Sequence, residues 1–263
     1  MTFLKNIGFA MKKYSFLLRE LVMRDFKVKY KRSILGVFWS LLYPILMMTV
    51  LSLVFSKVFR MTVPGVSYLV YLITGLIFFN YYTEASTIGM GSICANFGLI
   101  NKVYIPKYIF PLSKCLFTAI NFILSLIPLY GVILLTGTGI NIYHLLLPYS
   151  YICLFVFTLG MTLLLSSTVV FFRDLSYIYG IVTMLWMYLT PVMYDISIIS
   201  TRYANFFKLN PLYQYINFAR EIILYSRCPS WQAFLFSFLS ATITLIVGAS
   251  VFRKTQDQFV YYI

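Results

Sequence analysis

Arg24-Asp25-Phe26-Lys27-Val28-Lys29-Tyr30-Lys31-Arg32 is followed by Ser33 and then by 23 uncharged residues, Ile34 to Ser56. Five cations in nine residues are costly to move through hydrocarbon, while a run of 23 mostly apolar residues is long enough to cross it. The basic block is therefore expected at the cytoplasmic face, with the span behind it leading outward. This junction sets both the class of the chain and its orientation.

Composition points the same way. Of 263 residues, 61% are hydrophobic and 11% charged, a balance that ordinary soluble domains do not have. Some 33 mixed residues precede the first apolar run, which is too long for a signal-peptide core, so no cleaved leader is expected. The net charge of +14 does not indicate nucleic acid. Nine of the 21 cations lie before Ile34, and most others fall in short connections, the positive-inside pattern with its attraction to anionic membrane lipids. Cys94, Cys115, Cys153 and Cys228 have no metal-ligand spacing and are read as packing residues. The single His144 falls in an expected loop and is read as solvated.

Charges used as boundaries give six expected spans: Ile34–Ser56, Tyr68–Gly91, Tyr108–Thr136, Leu145–Phe172, Leu175–Tyr194 and Trp231–Phe252. With the N-terminus inside, an even number returns the C-terminus inside. The cytoplasmic side then carries the nine N-terminal cations with Lys102, Lys107, Lys114, Arg173, Arg253 and Lys254. Lys57, Arg60, Arg202, Lys208, Arg220 and Arg227 fall outside. Residues 1–33 form a unit of their own. Leu4, Ile7, Met11, Tyr14, Leu18 and Leu21 recur at steps of three and four, with Lys5, Lys12 and Arg19 on another face, as in a helix lying in the membrane interface. Residues 34–263 form the six-span domain, so the fold class is all-α and polytopic.

Two connections stand out. From Cys94 to Lys107, polar residues interrupt the apolar pattern before Pro106, which suits a short cytoplasmic elbow. From Ser197 to Ser230 the chain is too apolar for a solvated loop. It reads as two short helices, split near Asn210-Pro211, that dip back into the outer leaflet and line a cavity. Pro44, Pro128 and Pro191 fall in or near spans, where kinks are expected.

The seven carboxylates are dispersed, there is one His, and no Walker A sequence occurs, so the chain is not expected to catalyse hydrolysis or to hold a metal. Glu84 is the acid well inside a span; such a residue usually faces a cavity or a partner, and the alternative is a satisfied packing residue. Trp39, Tyr43, Tyr81 and Tyr82 lie at span depth near it. Their apolar faces and hydroxyl handles suit a sliding sugar chain, which is itself apolar on its faces and hydroxylated at its rims.

Read together, these stretches resemble the membrane subunit of type-2 ABC exporters, in particular the branch that exports O-antigen, capsule-like polymers and teichoic acids. Arg24 to Lys31 with Ser33-Ile34-Leu35-Gly36 and Trp39 resembles the opening signature of that family. Val103-Tyr104-Ile105-Pro106-Lys107 with Pro111-Leu112-Ser113 resembles the segment entering the third span. Phe172-Arg173-Asp174-Leu175 is similar to the turn before the fifth, and Tyr188-Leu189-Thr190-Pro191-Val192-Met193-Tyr194 to its end. Asn210-Pro211-Leu212 resembles the outer re-entrant region, and Phe252-Arg253-Lys254 with Phe259 the cytoplasmic end. The Tyr43-Pro44 and Thr190-Pro191 pairs depart from the commoner forms. The likeness spans nearly the whole chain.

The resemblance implies a second copy of this chain and two separate ATPase subunits, which would bind ATP and Mg; no cofactor is implied in the chain itself. It also implies the plasma (inner) membrane of a bacterium and a polyprenyl-pyrophosphate-linked polymer as cargo. A coupling helix would fall on Asn96 to Ile105, with Asn96, Gly98, Leu99, Asn101, Lys102 and Ile105 facing the ATPase. Lys27, Lys29, Lys31 and Arg32 would meet the anionic head group, and Trp39, Tyr43, Tyr81, Tyr82 and Glu84 would line the channel. Asn210, Pro211, Tyr215, Arg220 and Glu221 would form an outer gate. An exporter of drugs or small lipids, a membrane-embedded transferase acting on lipid-linked sugars and a passive channel are the competing readings.

Overall fold

A computed structural model describes residues 2–31, 33, 35–55, 62–102, 105–198 and 200–262. Arg32, Lys57, Arg60, Val103 and Tyr104 lie outside the described residues, as do the side chains of Leu4, Lys5, Ile7, Met11, Lys12 and Arg202. Among the described residues the chain is helical and contains no strand.

A helix occupies each of the six apolar stretches. These are α2 (Trp39–Leu53), α3 (Tyr68–Met90), α6 (Ile109–Leu135), α7 (Leu147–Phe171), α8 (Leu175–Tyr188) and α11 (Trp231–Thr255). Helix α1 (Thr2–Tyr30) precedes them, a terminal turn, α12 (Phe259–Tyr262), follows, and between them lie the elbow helices α4 (Ser92–Ala95) and α5 (Phe97–Ile100), α9 (Thr201–Lys208) and α10 (Pro211–Ile223). Among the described residues, three segments are long and apolar enough to cross a membrane, Ile109–Leu135, Ile142–Phe171 and Trp231–Tyr262, which makes this an integral membrane protein.

Two of the expected spans are shorter than the sequence reading. Helix α8 stops at Tyr188 instead of Tyr194 and is about 21 Å long at 1.5 Å per residue. The cause is Pro191: the residue before a proline is pushed out of the helical region, and the chain turns through Thr190–Tyr194. Helix α2 begins at Trp39, preceded by a 3-10 turn at Gly36–Phe38 in which Gly36 takes φ +50°. Only glycine adopts that backbone without strain, so the chain changes direction there before the helix starts.

Helix α3 is the hub, packing against α2, α6, α7, α8 and α10. Helices α7 and α11 form the most extensive pair. They meet at Gly160 and Gly248, where an added Cβ on Gly248 would fall 2.0 Å from the Gly160 carbonyl oxygen. Backbone contact of this kind lets two helices associate by close packing where no water drives them together.

The C-terminal half of the N-terminal helix packs on the bundle. Leu21 is buried in a cluster with Ile93, Ile109, Phe110, Leu163, Val170, Phe252 and Phe259, and Tyr14, Leu17 and Leu18 pack against it. The described part of the apolar stripe, Tyr14, Leu18 and Leu21, therefore docks on the ends of α6, α7 and α11; Leu4, Ile7 and Met11 lie outside the described side chains. We call this the basic end of the bundle.

His144 is not free in a loop: it sits in a 3-10 turn, Ile142–Leu146, where its Nδ1 accepts from the Asn141 backbone N–H at 3.3 Å. Of the four free cysteines, Cys115 and Cys153 are buried as expected, whereas Cys94 and Cys228 are exposed.

Candidate functional site: a cavity among α2, α3 and α6

Helix α3 carries a polar stripe inside an apolar sequence. Asn80, Thr83, Glu84 and Thr87 recur at i, i+3, i+4 and i+7 and so share one face. Helix α6 answers with Thr118, Asn121 and Ser125, and α2 supplies Trp39, Tyr43 and Met47 at steps of four. All ten line one cavity of about 700 Å³. Ligand sites fall at about 300–1,000 Å³ and pair apolar walls with a few polar groups, so this volume and lining fit one. Tyr81 also lines it, its ring 5.0 Å from that of Phe122.

The last two turns of α1 close the mouth, and the basic motif is fastened residue by residue. Asp25 accepts from Lys114 at 2.7 Å, with both side chains nearly buried. Arg24 Nη1 donates to Asn96 Oδ1 at 3.0 Å, and Phe26 packs edge-on against Phe117 at 4.7 Å. Lys29 Nζ donates to Glu84 Oε1 at 2.7 Å. The Tyr30 hydroxyl donates to Asn121 Oδ1 at 3.4 Å.

This geometry divides the expected basic cluster. Lys27 and Lys31 stand two residues either side of Lys29, about 200° around the helix, and are exposed on the opposite face. Lys29 points into the cavity mouth and already holds a carboxylate.

Four of the five residues read as channel lining meet at this cavity: Trp39, Tyr43, Tyr81 and Glu84. Tyr82 does not. It is fully buried on the other side of α3, its hydroxyl 3.1 Å from that of Tyr179, which in turn lies 2.7 Å from Ser86 Oγ. Tyr82 ties α8 to α3. The stripes of α3 and α6 were the signal for Asn80, Thr83, Thr87, Asn121 and Ser125, which motif reading passed over.

At the elbow, the residues read as facing the ATPase split in two. Gly98, Asn101 and Lys102 are exposed. Asn96 is buried and turned inward: its Nδ2 donates to the Ser92 carbonyl at 2.7 Å while its Oδ1 holds Arg24. Leu99 and Ile105 pack on the cluster around Leu21.

At the far end, the expected gate residues are bonded into the protomer. Asn210 caps α10, with its Oδ1 accepting from the Leu212 backbone N–H and from Trp186 Nε1, each at 3.0 Å; Pro211 is the first residue of that helix. Tyr215 is buried, its hydroxyl 2.8 Å from Ser240 Oγ. Glu221 accepts from Arg227 at 3.1 Å. Arg220 is 1% exposed and reaches no carboxylate within ion-pair distance among the described residues. It donates to the carbonyls of Pro191 (2.6 Å), Val192 (2.8 Å) and Tyr71 (3.0 Å), and its guanidinium lies 3.4 Å from the centre of the Tyr71 ring. Gly75 leaves the space, since a Cβ there would be 2.6 Å from Arg220 Nη2.

An all-helical membrane protein with an aromatic- and hydroxyl-walled cavity, and with its basic segment fastened across the mouth, belongs to the class of membrane transport subunits. Residues 17–224 match the family of ABC-2 type transporters, and the chain belongs to that family. It is 28% identical over 244 residues to the O-antigen export system permease protein RfbA of Klebsiella pneumoniae, covering 92% of this chain and 93% of that one. It is 29% identical to RfbA of Myxococcus xanthus, covering 94% and 95%. Against the polysialic acid transport protein KpsM of Escherichia coli it is 21% identical, covering 95% and 96%. Membership of an ABC family implies association with an ATPase subunit.

Proposed function

We propose that this chain is the permease subunit of an ATP-driven exporter that carries a polysaccharide, built on a polyprenyl-pyrophosphate carrier, outward across the bacterial plasma membrane. The observation that carries this reading is the cavity, with aromatic rings on α2 facing hydroxyl and amide stripes on α3 and α6. Sugar rings stack by their C–H faces on aromatic side chains and hydrogen-bond at their rims, so this lining suits them. The relatives, named for O-antigen export and polysialic acid transport, support the same cargo class.

In this reading six spans leave both termini in the cytoplasm, and two copies work with two ATPase subunits that bind ATP and Mg. The elbow α4–α5 takes the ATPase stroke through its exposed Gly98, Asn101 and Lys102. Lys27 and Lys31 face the anionic membrane surface, at about 1 kcal/mol each. Helix α10 and the turn it holds at Pro191–Val192 form the outer closure.

The test is co-purification of the tagged chain with its ATPase, followed by ATPase assay with lipid-linked glycan. A stable complex stimulated by glycan supports the reading. A stable complex indifferent to glycan but stimulated by drugs or short lipids moves the cargo to those classes, and activity of the chain without any ATPase would revive a transferase.

A further inference from the structure

Lys29 and Glu84 are 55 residues apart in sequence, belong to different helices, and both line the cavity whose mouth they close. Their exposures, 39% and 36%, are those of a weak, exchangeable ion pair. Lys29 also has somewhere else to rest its charge: its Nζ is 5.4 Å from the centre of the Phe117 ring and 5.9 Å from that of Tyr30. Five residues earlier on the same rigid helix, Arg24 holds Asn96 of the elbow at 3.0 Å. The last two turns of α1 thus touch the cavity mouth with one cation and the elbow with another.

We propose that Lys29–Glu84 is the closed state of a latch across the cavity mouth. A diphosphate head group opens it by replacing Glu84 as the counter-ion of Lys29, and the resulting shift of α1 reaches the elbow through Arg24–Asn96. This rests on the export reading above and adds to it how the transporter registers its cargo. A diphosphate carries more charge and more acceptor oxygens than one carboxylate, so it wins the competition for Lys29 at a site open to water. Release of Glu84 exposes a carboxylate beside the polar stripe of α3, which repels the arriving anion from the cavity wall and keeps it at the mouth while the uncharged sugars move on. Neutral lipids offer Lys29 nothing and leave the pair closed.

The test uses the transporter with its ATPase in phosphatidylcholine nanodiscs. The native cysteines are replaced by Ser, and nitroxide labels are placed at Val28→Cys and Gly91→Cys, both exposed positions. Undecaprenyl pyrophosphate should lengthen the distance between the labels, and undecaprenol should leave it unchanged. Glu84→Gln should give the long distance without any lipid. Lys29→Gln should also rest long and lose its response to the pyrophosphate lipid. Arg24→Gln should still lengthen with that lipid but lose at least tenfold of the ATPase stimulation it causes.

A wild-type distance indifferent to undecaprenyl pyrophosphate, in preparations whose ATPase lipid-linked glycan stimulates, overturns the latch and leaves the export reading intact. Equal lengthening with undecaprenol, with inorganic pyrophosphate or with phosphatidylglycerol also overturns it, because the opening would then not report a lipid-borne diphosphate. Absence of any glycan-dependent ATPase in the same preparations is the separate result that counts against the export reading.

Discussion

Arg220→Ala is the substitution through which the outer part of the fold is best tested. The wild-type guanidinium is fully buried and satisfies the Pro191 and Val192 carbonyls in the turn after α8, while also stacking on Tyr71 and reaching its carbonyl. Truncation leaves two turn carbonyls without that donor, at about 1–3 kcal/mol each for buried orphans. The vacated side-chain volume adds a cavity cost of the same order. Against this, the mutant no longer has to keep a charge out of water, a saving of several kcal/mol in principle. The balance is a loss of about 3 kcal/mol, or roughly 100-fold in the local opening equilibrium at 1.4 kcal/mol per tenfold. The assay is amide hydrogen exchange on the intact transporter in nanodiscs, read over Leu212–Leu224 and over Thr190–Tyr194. Both segments should exchange roughly 100-fold faster together. Arg227→Ala is the control: its pair with Glu221 is 62% exposed on the arginine side, so that change should shift exchange by less than about fivefold. If Arg220→Ala alters exchange no more than Arg227→Ala does, the guanidinium is not what fastens α10 to the turn.

Gly75→Ala brings a Cβ to 2.6 Å from Arg220 Nη2 and 3.1 Å from the Val192 side chain, so the thermal midpoint should fall by an amount corresponding to about 1–3 kcal/mol. In an Arg220→Ala background the same change should cost much less, and equal cost in both backgrounds would refute the shared seat. The exposed cysteines offer a topology test, since Cys94 lies in the elbow and Cys228 between α10 and α11. A membrane-impermeant maleimide should reach Cys228 from outside whole cells and Cys94 only in inverted vesicles; labelling of both from one side contradicts the six-span reading. Although its surface is accessible, the partial desolvation of the Cys94 thiol by its neighbours pushes it up from its ordinary value despite the opposing field of Arg173. The thiolate is the reactive form, so Cys94 labelling should be slow at neutral pH and accelerate as pH rises through the alkaline range.

Much of this molecule was legible in the chain itself. Helix location follows from runs of apolar residues bounded by charge, glycine and proline, because an unpaired backbone in hydrocarbon leaves few alternatives to a helix. The break at Asn210-Pro211 was likewise readable, since Asn caps and Pro starts a helix. The end of α8 was misjudged by continuing an apolar run through Thr190-Pro191, although the proline itself carried the signal. Trp39, Tyr43, Tyr81 and Glu84, grouped by depth and chemistry in the sequence, lie together along one cavity.

What the sequence could not supply was direction and pairing. Tyr81 and Tyr82 are adjacent and chemically alike, yet one lines the cavity and the other is bonded towards Tyr179, because successive helical residues point about 100° apart and only the packing of α2, α6 and α8 around α3 decides which side is which. Lys27, Lys29 and Lys31 look like one basic cluster in the sequence, but the helix splits them and, among the described residues, tertiary contact gives a carboxylate to Lys29 and not to the other two. Arg220 reads in the sequence as a gate residue on an outer re-entrant helix. It becomes a buried fastening only because α10 folds it against Gly75 and three carbonyls from two other segments. Local patterning determines which segments are helices and which can enter a membrane; which charge meets which partner depends on contacts between residues far apart in the chain, and those exist only once the bundle has formed.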